Sequence, residues 1–283
     1  MTASSSPAEL HTDAAARARG SSFHAAMRIL PRPRREAMFE IYAFCRAVDD
    51  IADADGPRPA RCQALAEWRC AIDSLYQGIA PPHRPLSGLT AAIKTFDLRR
   101  EDFHSVIDGM EMDVAADIQA PSLAMLDLYC DRVASAVGRL STRAFGMPED
   151  EGLSLAHHLG RALQLTNILR DLDEDAAINR LYLPREDLEA AGITAIEPGA
   201  VLRDPALTVA CALVIARAKA HFAEADRTMA AAPRQTVRAP RIMADVYRFM
   251  LDCLERRGFA PPRPPIRTPR FRILLTILRY GLP

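Results

Sequence analysis

Four polar residues recur at helical spacing inside an apolar stretch in the second half of the chain. Gln164, Asn167, Asp171 and Asp175 are separated by three, four and four residues in QLTNILRDLDED. On a helix of about 3.6 residues per turn, this spacing places them on one face, framed by leucine and isoleucine. Like charges four residues apart destabilise a helix, and burial increases that cost. The stretch therefore predicts a helix whose carboxylates meet a cation.

A matching pair of aspartates lies far upstream, in IYAFCRAVDDIADAD. Asp49 and Asp53 repeat the four-residue spacing, and Arg46 lies one turn earlier on nearly the same face. A hard divalent ion such as Mg²⁺ takes one or two carboxylates and completes its shell with water and phosphate oxygens. Two such pairs facing each other across a cavity would hold Mg²⁺ on both sides of a diphosphate. The predicted metal ligands are Asp49, Asp53, Asn167, Asp171 and Asp175.

Helical periodicity dominates the chain, and almost no stretch alternates with the period of a strand. Helices are predicted from near Arg34 through the first aspartate pair, and over 64–76, 89–96, 101–117, 122–145, 206–216 and 241–256. We therefore predict an all-α fold. A chain of 283 residues is long enough for one large helical domain with a wide cavity or for two small domains. Residues 1–19 are expected to form a disordered leader, and 260–283 a Pro- and Arg-rich tail with a short amphipathic segment.

Composition narrows the function classes. The formal net charge is zero, so nothing global favours a nucleic-acid partner. The chain contains no G-x-G-x-x-G, no P-loop and no defensible Ser-His-Asp arrangement, which leaves catalysis by positioning and electrostatics. The six cysteines form no C-x-x-C and most lie in apolar helical runs, so we expect them to be reduced core residues of a cytosolic protein.

The aspartate stretches resemble a known family. YAFCRAVDDIAD and QLTNILRDLDEDAAINRLYLP resemble the two aspartate-rich motifs of the squalene and phytoene synthase family, which joins two prenyl diphosphates head to head. The resemblance extends from about Gly20 to Gly258. Three further pieces, GSSFHAAMRILPRPRREAMFEIYAFCRAVDDIAD, GMEMD and LYCDRVASAVGRLSTRAFG, are most similar to the bacterial branch that makes presqualene diphosphate in hopanoid pathways. The implied fold is that of the isoprenoid synthases, a single domain over 20–259 built as a helical bundle around a central cavity.

The resemblance also implies roles for individual residues. Ser22 is expected near the phosphates, Asp113 of GMEMD in the pocket, and Tyr129 beside the carbocation, which it would steer by hydroxyl or ring. Arg180 and Tyr182 match a position that contacts the diphosphate or closes over it. The predicted substrate-binding residues are Ser22, Tyr42, Arg46, Asp113, Val133, Val137, Gln164, Asn167, Arg170, Arg180 and Tyr247, and the predicted catalytic residues are Asp49, Asp53, Asp171, Asp175 and Tyr129.

Three residues keep two interpretations each. Arg170 could contact the diphosphate or pair with a neighbouring carboxylate, and Arg139 could contact phosphate or form an ion pair. Gly138, in the middle of the predicted 122–145 helix, could permit a bend or the approach of a ligand. From the residues alone it could equally permit tight packing of two helices, and the resemblance favours the ligand.

The implied reaction is the Mg²⁺-dependent condensation of two farnesyl diphosphates to presqualene diphosphate, by a prenyltransferase with two or three metal ions and no expected NADPH. Its product would pass to downstream squalene-pathway enzymes. Phytoene or dehydrosqualene synthase, a complete NADPH-dependent squalene synthase and a non-catalytic assembly factor are the alternatives. We expect a cytoplasmic protein, peripheral at the inner face of the membrane if RFRILLTILRYGLP lies on lipid rather than docking on its own chain.

Overall fold

The computed structural model of the chain describes residues 26–81, 86–266 and 269–281. Within these ranges the protein is all-α, and its one strand-like pairing is an isolated bridge between Gln119 and Leu181. The helices are α1 (Arg32–Asp53), α2 (Arg58–Tyr76), α3 (Ser87–Phe96), α4 (Arg100–Ala115), α5 (Leu123–Cys130), a π-helical segment (Asp131–Ser135), α6 (Ala136–Ala144), α7 (Glu149–Arg170), α8 (Leu172–Ala177), α9 (Arg185–Ala190), α10 (Pro198–Arg203), α11 (Leu207–Ala231), α12 (Arg238–Arg257) and α13 (Arg270–Gly281).

Proline and capping residues determine where several helices begin. Both α1 and α2 carry proline in their first turn, where its missing N–H costs no intrahelical hydrogen bond. For this reason α2 begins at Arg58, six residues before the predicted start at 64. The side chain of Ser122 caps α5 by accepting a hydrogen bond from the N–H of Met125 at 3.2 Å.

The predicted continuous helix over 122–145 is interrupted by the π-helical segment. This segment passes very close to its neighbours. A Cβ added at Gly160 of α7 would lie 2.9 Å from the backbone nitrogen of Ser135, and one at Gly109 of α4 would lie 2.5 Å from Val133. The wider π turn thus fits against glycines on two other helices.

Gly138 serves helix packing. A Cβ there would lie 2.9 Å from the Cα of Ala156, so only glycine lets α6 approach α7 this closely. The irregular part of this stretch is the π-helical segment, which precedes Gly138. Gly138 also lines the cavity described below, and the approach of a ligand there stays a prediction.

Two hydrophobic clusters form the core. The first contains residues of α1, α2, α3, α4 and part of α6. In it the ring of Phe44 packs edge-on against Trp68 and Phe103, at 5.6 and 5.1 Å between ring centroids. The second is built on α5 and α7 to α12. Val133 packs against both clusters, so the π-helical segment lies where they meet. The expectation of core cysteines is wrong for Cys62 and Cys70, which are exposed, whereas Cys130 and Cys211 are buried.

The tail packs on the same body as the rest of the protein. Arg263 binds both carboxylate oxygens of Asp173 at 2.8 and 2.5 Å and also donates to the carbonyls of Leu202 and Phe259. In α13, Thr276 donates to Asp245 at 3.1 Å. The domain limits at 19 and 259 stay predictions, and residues 1–19 lie outside the described ranges.

Candidate active site

A cavity of about 550 Å³ is enclosed by α1, the π-helical segment, α6, α7 and α12. This volume falls in the range of small-molecule binding sites. Its lining is mostly apolar and is formed by Met27, Ile41, Tyr42, Cys45, Arg46, Asp49, Val133, Ala134, Val137, Gly138, Ser141, Thr142, Phe145, Leu155, Ala156, Leu159, Gly160, Leu163, Gln164, Asn167, Arg170, Pro240, Met243, Tyr247 and Met250.

The lining changes from apolar to polar along two of the helices. On α1 it runs from Ile41 to Asp49, and on α7 from Leu155 to Asn167 and Arg170. In both helices the polar residues lie towards the C-terminal end. A helix C-terminus carries partial negative charge and favours a cation, so helix direction and side chains favour the same type of ligand there.

Carboxylates from both aspartate stretches lie close enough for their charges to affect one another. Burial, followed by repulsion from Asp53, raises the pKa of Asp49 to about 6. Burial, followed by repulsion from Asp171, raises the pKa of Asp175 to about 7. The charge of Asp113 acts on both Asp49 and Asp175, and that of Asp53 also acts on Asp175. Residues more than 120 positions apart therefore form one acidic cluster.

Three arginines offset part of this charge. Buried Arg180 donates to Asp53 Oδ1 at 2.8 Å and to the carbonyl of Ala52 at 3.1 Å. Arg46 forms ion pairs with Asp49 and Asp50. Arg170 donates twice to Asp171 at 2.5 Å, so the ion-pair interpretation holds for this structure. Among the described residues, no salt bridge reaches Asp175.

Asp113 lies at the centre of a buried hydrogen-bonded group. The hydroxyl of Tyr182 donates to its Oδ1 at 2.6 Å, and that of Tyr129 donates to its Oδ2 at 2.9 Å. The two tyrosine rings stack with 4.9 Å between centroids. Burial raises the pKa of Asp113, and the hydrogen bond from Tyr182 opposes this. Since each hydroxyl proton is engaged, the tyrosine oxygens offer lone pairs to any further group that approaches.

The second aspartate stretch is not one continuous helix, which corrects the sequence interpretation. Helix α7 ends at Arg170, Asp171 takes a non-helical conformation, and α8 begins at Leu172. Two helix-type hydrogen bonds remain across this break. The N–H of Asp171 donates to the carbonyl of Asn167 at 2.9 Å, and that of Asp175 donates to Asp171 at 2.8 Å. Asn167, Asp171 and Asp175 therefore still follow one another at intervals of one helical turn, although the helix is interrupted at Asp171.

The site fits a divalent cation. Acidic groups outnumber the arginines that contact them, and burial, followed by repulsion among them, raises the pKa values of Asp49 and Asp175. The Oδ1 atom of Asn167 is buried and accepts no hydrogen bond from the described residues. An amide oxygen without a donor, beside crowded carboxylates, is the kind of ligand set that a hard cation prefers.

The predicted site residues divide into three groups. Tyr42, Arg46, Asp49, Val133, Val137, Gln164, Asn167, Arg170 and Tyr247 line the cavity. Asp53, Asp113, Tyr129, Asp171, Asp175 and Arg180 are not part of that lining and belong to the adjoining acidic and hydrogen-bonded groups. Ser22 lies outside the described residues.

The site region contains one residue whose interpretation was open and three that were not anticipated. Arg139 is engaged in ion pairs with Asp102 and Asp131, which supports its structural interpretation over phosphate contact. Met243 and Met250 of α12 line the cavity. Asp173 forms an ion pair with Arg263. The apolar spacing of α12 could have indicated the methionines. No local signal indicates the partner of Asp173.

Helices enclosing an apolar cavity with a carboxylate cluster at its polar end define an all-α enzyme of the isoprenoid-synthase type. The chain belongs to the squalene/phytoene synthase family, whose model matches residues 16–272. Enzymes of this type generally use a divalent metal.

Curated relatives refine the position within the family. The chain is 58% identical to a presqualene diphosphate synthase of Rhodopseudomonas palustris, over 93% of this chain and 94% of the relative. It is 56% identical to a presqualene diphosphate synthase of Sinorhizobium fredii, over 97% of this chain and 98% of the relative. A chloroplastic phytoene synthase of Daucus carota is more distant, at 32% identity over 84% of this chain and 61% of the relative.

A solved structure supports the same fold. A squalene synthase from Alicyclobacillus acidocaldarius superimposes with a TM-score of 0.78 at 29% identity, covering 90% of this chain and 98% of that chain. The predicted isoprenoid-synthase fold is therefore confirmed.

Proposed function

We propose that this protein joins two farnesyl diphosphates head to head to give presqualene diphosphate and diphosphate. The observation that carries the proposal is the apolar cavity that adjoins carboxylates from two distant helix ends. Such a cavity suits a ligand with a long hydrocarbon body and an anionic head that binds through cations. The high identity to presqualene diphosphate synthases favours fifteen-carbon substrates over the longer substrates of phytoene synthases.

The four motif aspartates and Asn167 would hold Mg²⁺. When bound, Mg²⁺ neutralises the charge that develops on a leaving diphosphate. Arg46 and Arg170 line the same end of the cavity, and their partners in this structure are aspartates. If those aspartates turned to metal, both guanidinium groups would become available to diphosphate oxygens.

The apolar lining would protect the reaction from water. Breaking the C1–O bond of the donor leaves an allylic cation, which a double bond of the second molecule attacks before loss of a proton closes the cyclopropane. Val133, Val137 and Leu159 place hydrocarbon around this path, and water that reached the cation would give an alcohol instead. We assign Tyr129 to cation stabilisation through an oxygen whose proton is held by Asp113.

Incubation of the purified protein with Mg²⁺ and farnesyl diphosphate, without and with NADPH, tests the function by mass spectrometry of the products. We expect presqualene diphosphate in both reactions. Squalene formed only with NADPH would identify a complete synthase, turnover of only twenty-carbon substrate would identify a phytoene synthase, and no turnover of either would favour an assembly factor. Each of these three results contradicts the proposal.

We further propose that α13 rests on an anionic membrane surface. Its outer stripe, defined as Phe271, Leu274, Leu275 and Leu278, is at least half exposed at every position. The helix contains arginines and no acidic residue, which suits an anionic lipid surface. No helix of the described ranges is long and apolar enough to cross a bilayer.

Flotation with vesicles of anionic or neutral lipid tests this surface. We expect binding to anionic vesicles that weakens with salt, and loss of binding in Leu274→Glu/Leu275→Glu. Val209→Glu, at an exposed apolar position on α11, is the matched control and should still float. Binding that survives the double substitution, or a salt-insensitive dimer through the outer stripe, would contradict the proposal.

A further inference from the structure

Three histidines meet on the surface where α7 packs against α11. His157 and His158 are adjacent on α7, and His221 projects from α11. Each offers a ring nitrogen, and the three nitrogens lie within 4.8 Å of one another. The Nδ1 atoms of His158 and His221 are 3.0 Å apart. His157 is exposed and the other two are half-buried, so the group is open to solvent. None of the three lines the cavity.

Burial disfavours the charged form of two of these rings, His157 and His221. Burial, followed by repulsion from His158, lowers the pKa of His221 to about 4, and burial lowers the pKa of His157. Arg161 lies against His157, but Asp127 accepts two hydrogen bonds from its guanidinium, at 2.7 and 3.0 Å, and Asp131 a third. The positive charge next to the histidines is therefore largely offset.

Neutral imidazole nitrogens are ligands for borderline transition ions rather than for Mg²⁺. In a tetrahedral zinc site with Zn–N distances of about 2.0–2.1 Å, neighbouring ligand nitrogens are about 3.3 Å apart. The separation of 3.0 Å between His158 and His221 is already close to this value. The nitrogen of His157 would reach the same ion through a side-chain rotation, because its ring is on the exposed side.

We propose that His157, His158 and His221 bind one divalent transition-metal ion of the Zn²⁺ type, with water as the fourth ligand. The ion would link α7 to α11. The same face carries a hydrogen bond between the side chains of Ser154 and Thr228, at 3.0 Å. Because α7 also carries Gln164 and Asn167, the ion would stiffen the helix that positions one half of the active site. Its role is structural, since it lies outside the cavity.

Equilibrium dialysis of the full chain, with no histidine tag, against Zn²⁺ in a large excess of Mg²⁺ tests the site. The excess Mg²⁺ is added to compete with Zn²⁺ for the predicted aspartate site. We expect one Zn²⁺ per chain and a melting temperature that rises with Zn²⁺ concentration. His221→Ala and His158→Ala should each weaken Zn²⁺ binding by at least about 100-fold and remove the thermal shift.

His104→Ala is the matched control, because His104 is a half-buried helical histidine outside the group. It should keep full binding. Circular dichroism of each variant without metal checks that the helices are intact. Co²⁺ substitution should give the strong visible absorption of a tetrahedral site in the parent chain. An absence of stoichiometric binding, or equal binding in His221→Ala, would show that the histidines form only a hydrogen-bonded surface pair and would overturn the proposal.

Discussion

The two aspartate stretches have the same spacing but different backbones. Asp49 and Asp53 lie on α1, a helix without interruption, whereas Asp171 stands at the break between α7 and α8. The first pair is placed by one rigid helix. The position of the second pair depends on the packing of α8, which is stabilised by contacts with residues outside this stretch. Leu172 is buried, Asp173 is bound by Arg263, and the N–H of Arg180 donates to the carbonyl of Asp175 at 2.9 Å.

The charges of the two stretches also differ. In the first stretch both motif aspartates have an arginine partner, since Arg46 pairs with Asp49 and Arg180 with Asp53. In the second, Arg170 pairs with Asp171, and no salt bridge of the described residues reaches Asp175. This difference agrees with the higher pKa of Asp175, about 7, against about 6 for Asp49. Identical spacing in sequence therefore produces one half-site that is rigid and partly neutralised. The other half-site is positioned by tertiary contacts and carries more unbalanced negative charge, so a bound cation interacts more favourably there.

The largest expected effect tests whether both stretches are needed. Asp49→Ala and Asp171→Ala should each lower turnover at least about 1,000-fold. Each removes a predicted ligand of the Mg²⁺ that neutralises the leaving diphosphate. Farnesyl diphosphate consumption and far-ultraviolet circular dichroism measure activity and folding together. Asp173→Asn is the control within the second stretch, because Asp173 is bound to Arg263, and it should keep most of the turnover. Full turnover in either alanine variant would remove the metal assignment.

A smaller effect tests whether the second stretch alone depends on tertiary contacts. Arg263→Gln removes hydrogen bonds to Asp173 and to the carbonyls of Leu202 and Phe259. We expect a loss of about 1–3 kcal/mol in the free energy of unfolding and a roughly 10-fold higher Mg²⁺ requirement, with a smaller change in kcat. Denaturant titration and Mg²⁺-dependent kinetics measure the two quantities. Arg46→Gln, on the rigid side, should leave unfolding almost unchanged because Arg46 is exposed. If both variants behaved alike, the proposed difference would be wrong.

The smallest effect concerns metal-free stability. The folded-state pKa of Asp175, about 7, lies above its ordinary value of 3.8. The folded protein thus binds this proton more tightly than the unfolded chain, and metal-free stability falls as pH rises from about 4 to about 7. Asp175→Asn removes this loss, so the variant should exceed the parent by about 1 kcal/mol above pH 7 and match it near pH 4. Asp49→Asn should gain less.

Thermal unfolding in the presence of a chelator, across this pH range, measures the difference. The Asp175→Asn variant should be more stable yet inactive, which is expected where function requires like charges to be held together. A lower melting temperature than the parent at pH 8 would mean that the carboxylate of Asp175 is stabilised rather than repelled.

One part of the site could be predicted from the sequence because it depends on local spacing. The first aspartate helix, predicted from near Arg34 and observed over Arg32–Asp53, follows from three- and four-residue periodicity. The resemblance added Asp113, whose burial and two tyrosine partners no local pattern indicates. The roles assigned to individual site residues stay predictions.

What the sequence by itself determined is which side chains share a helical face, because a residue's direction around a helix depends only on its position in the turn. Only the tertiary structure decided how those faces meet. The break at Asp171, the π-helical segment against Gly109 and Gly160, and the meeting of His158 with His221 all depend on contacts between residues distant in the chain. Such contacts are selected by packing and charge over the whole molecule, and no local pattern encodes them.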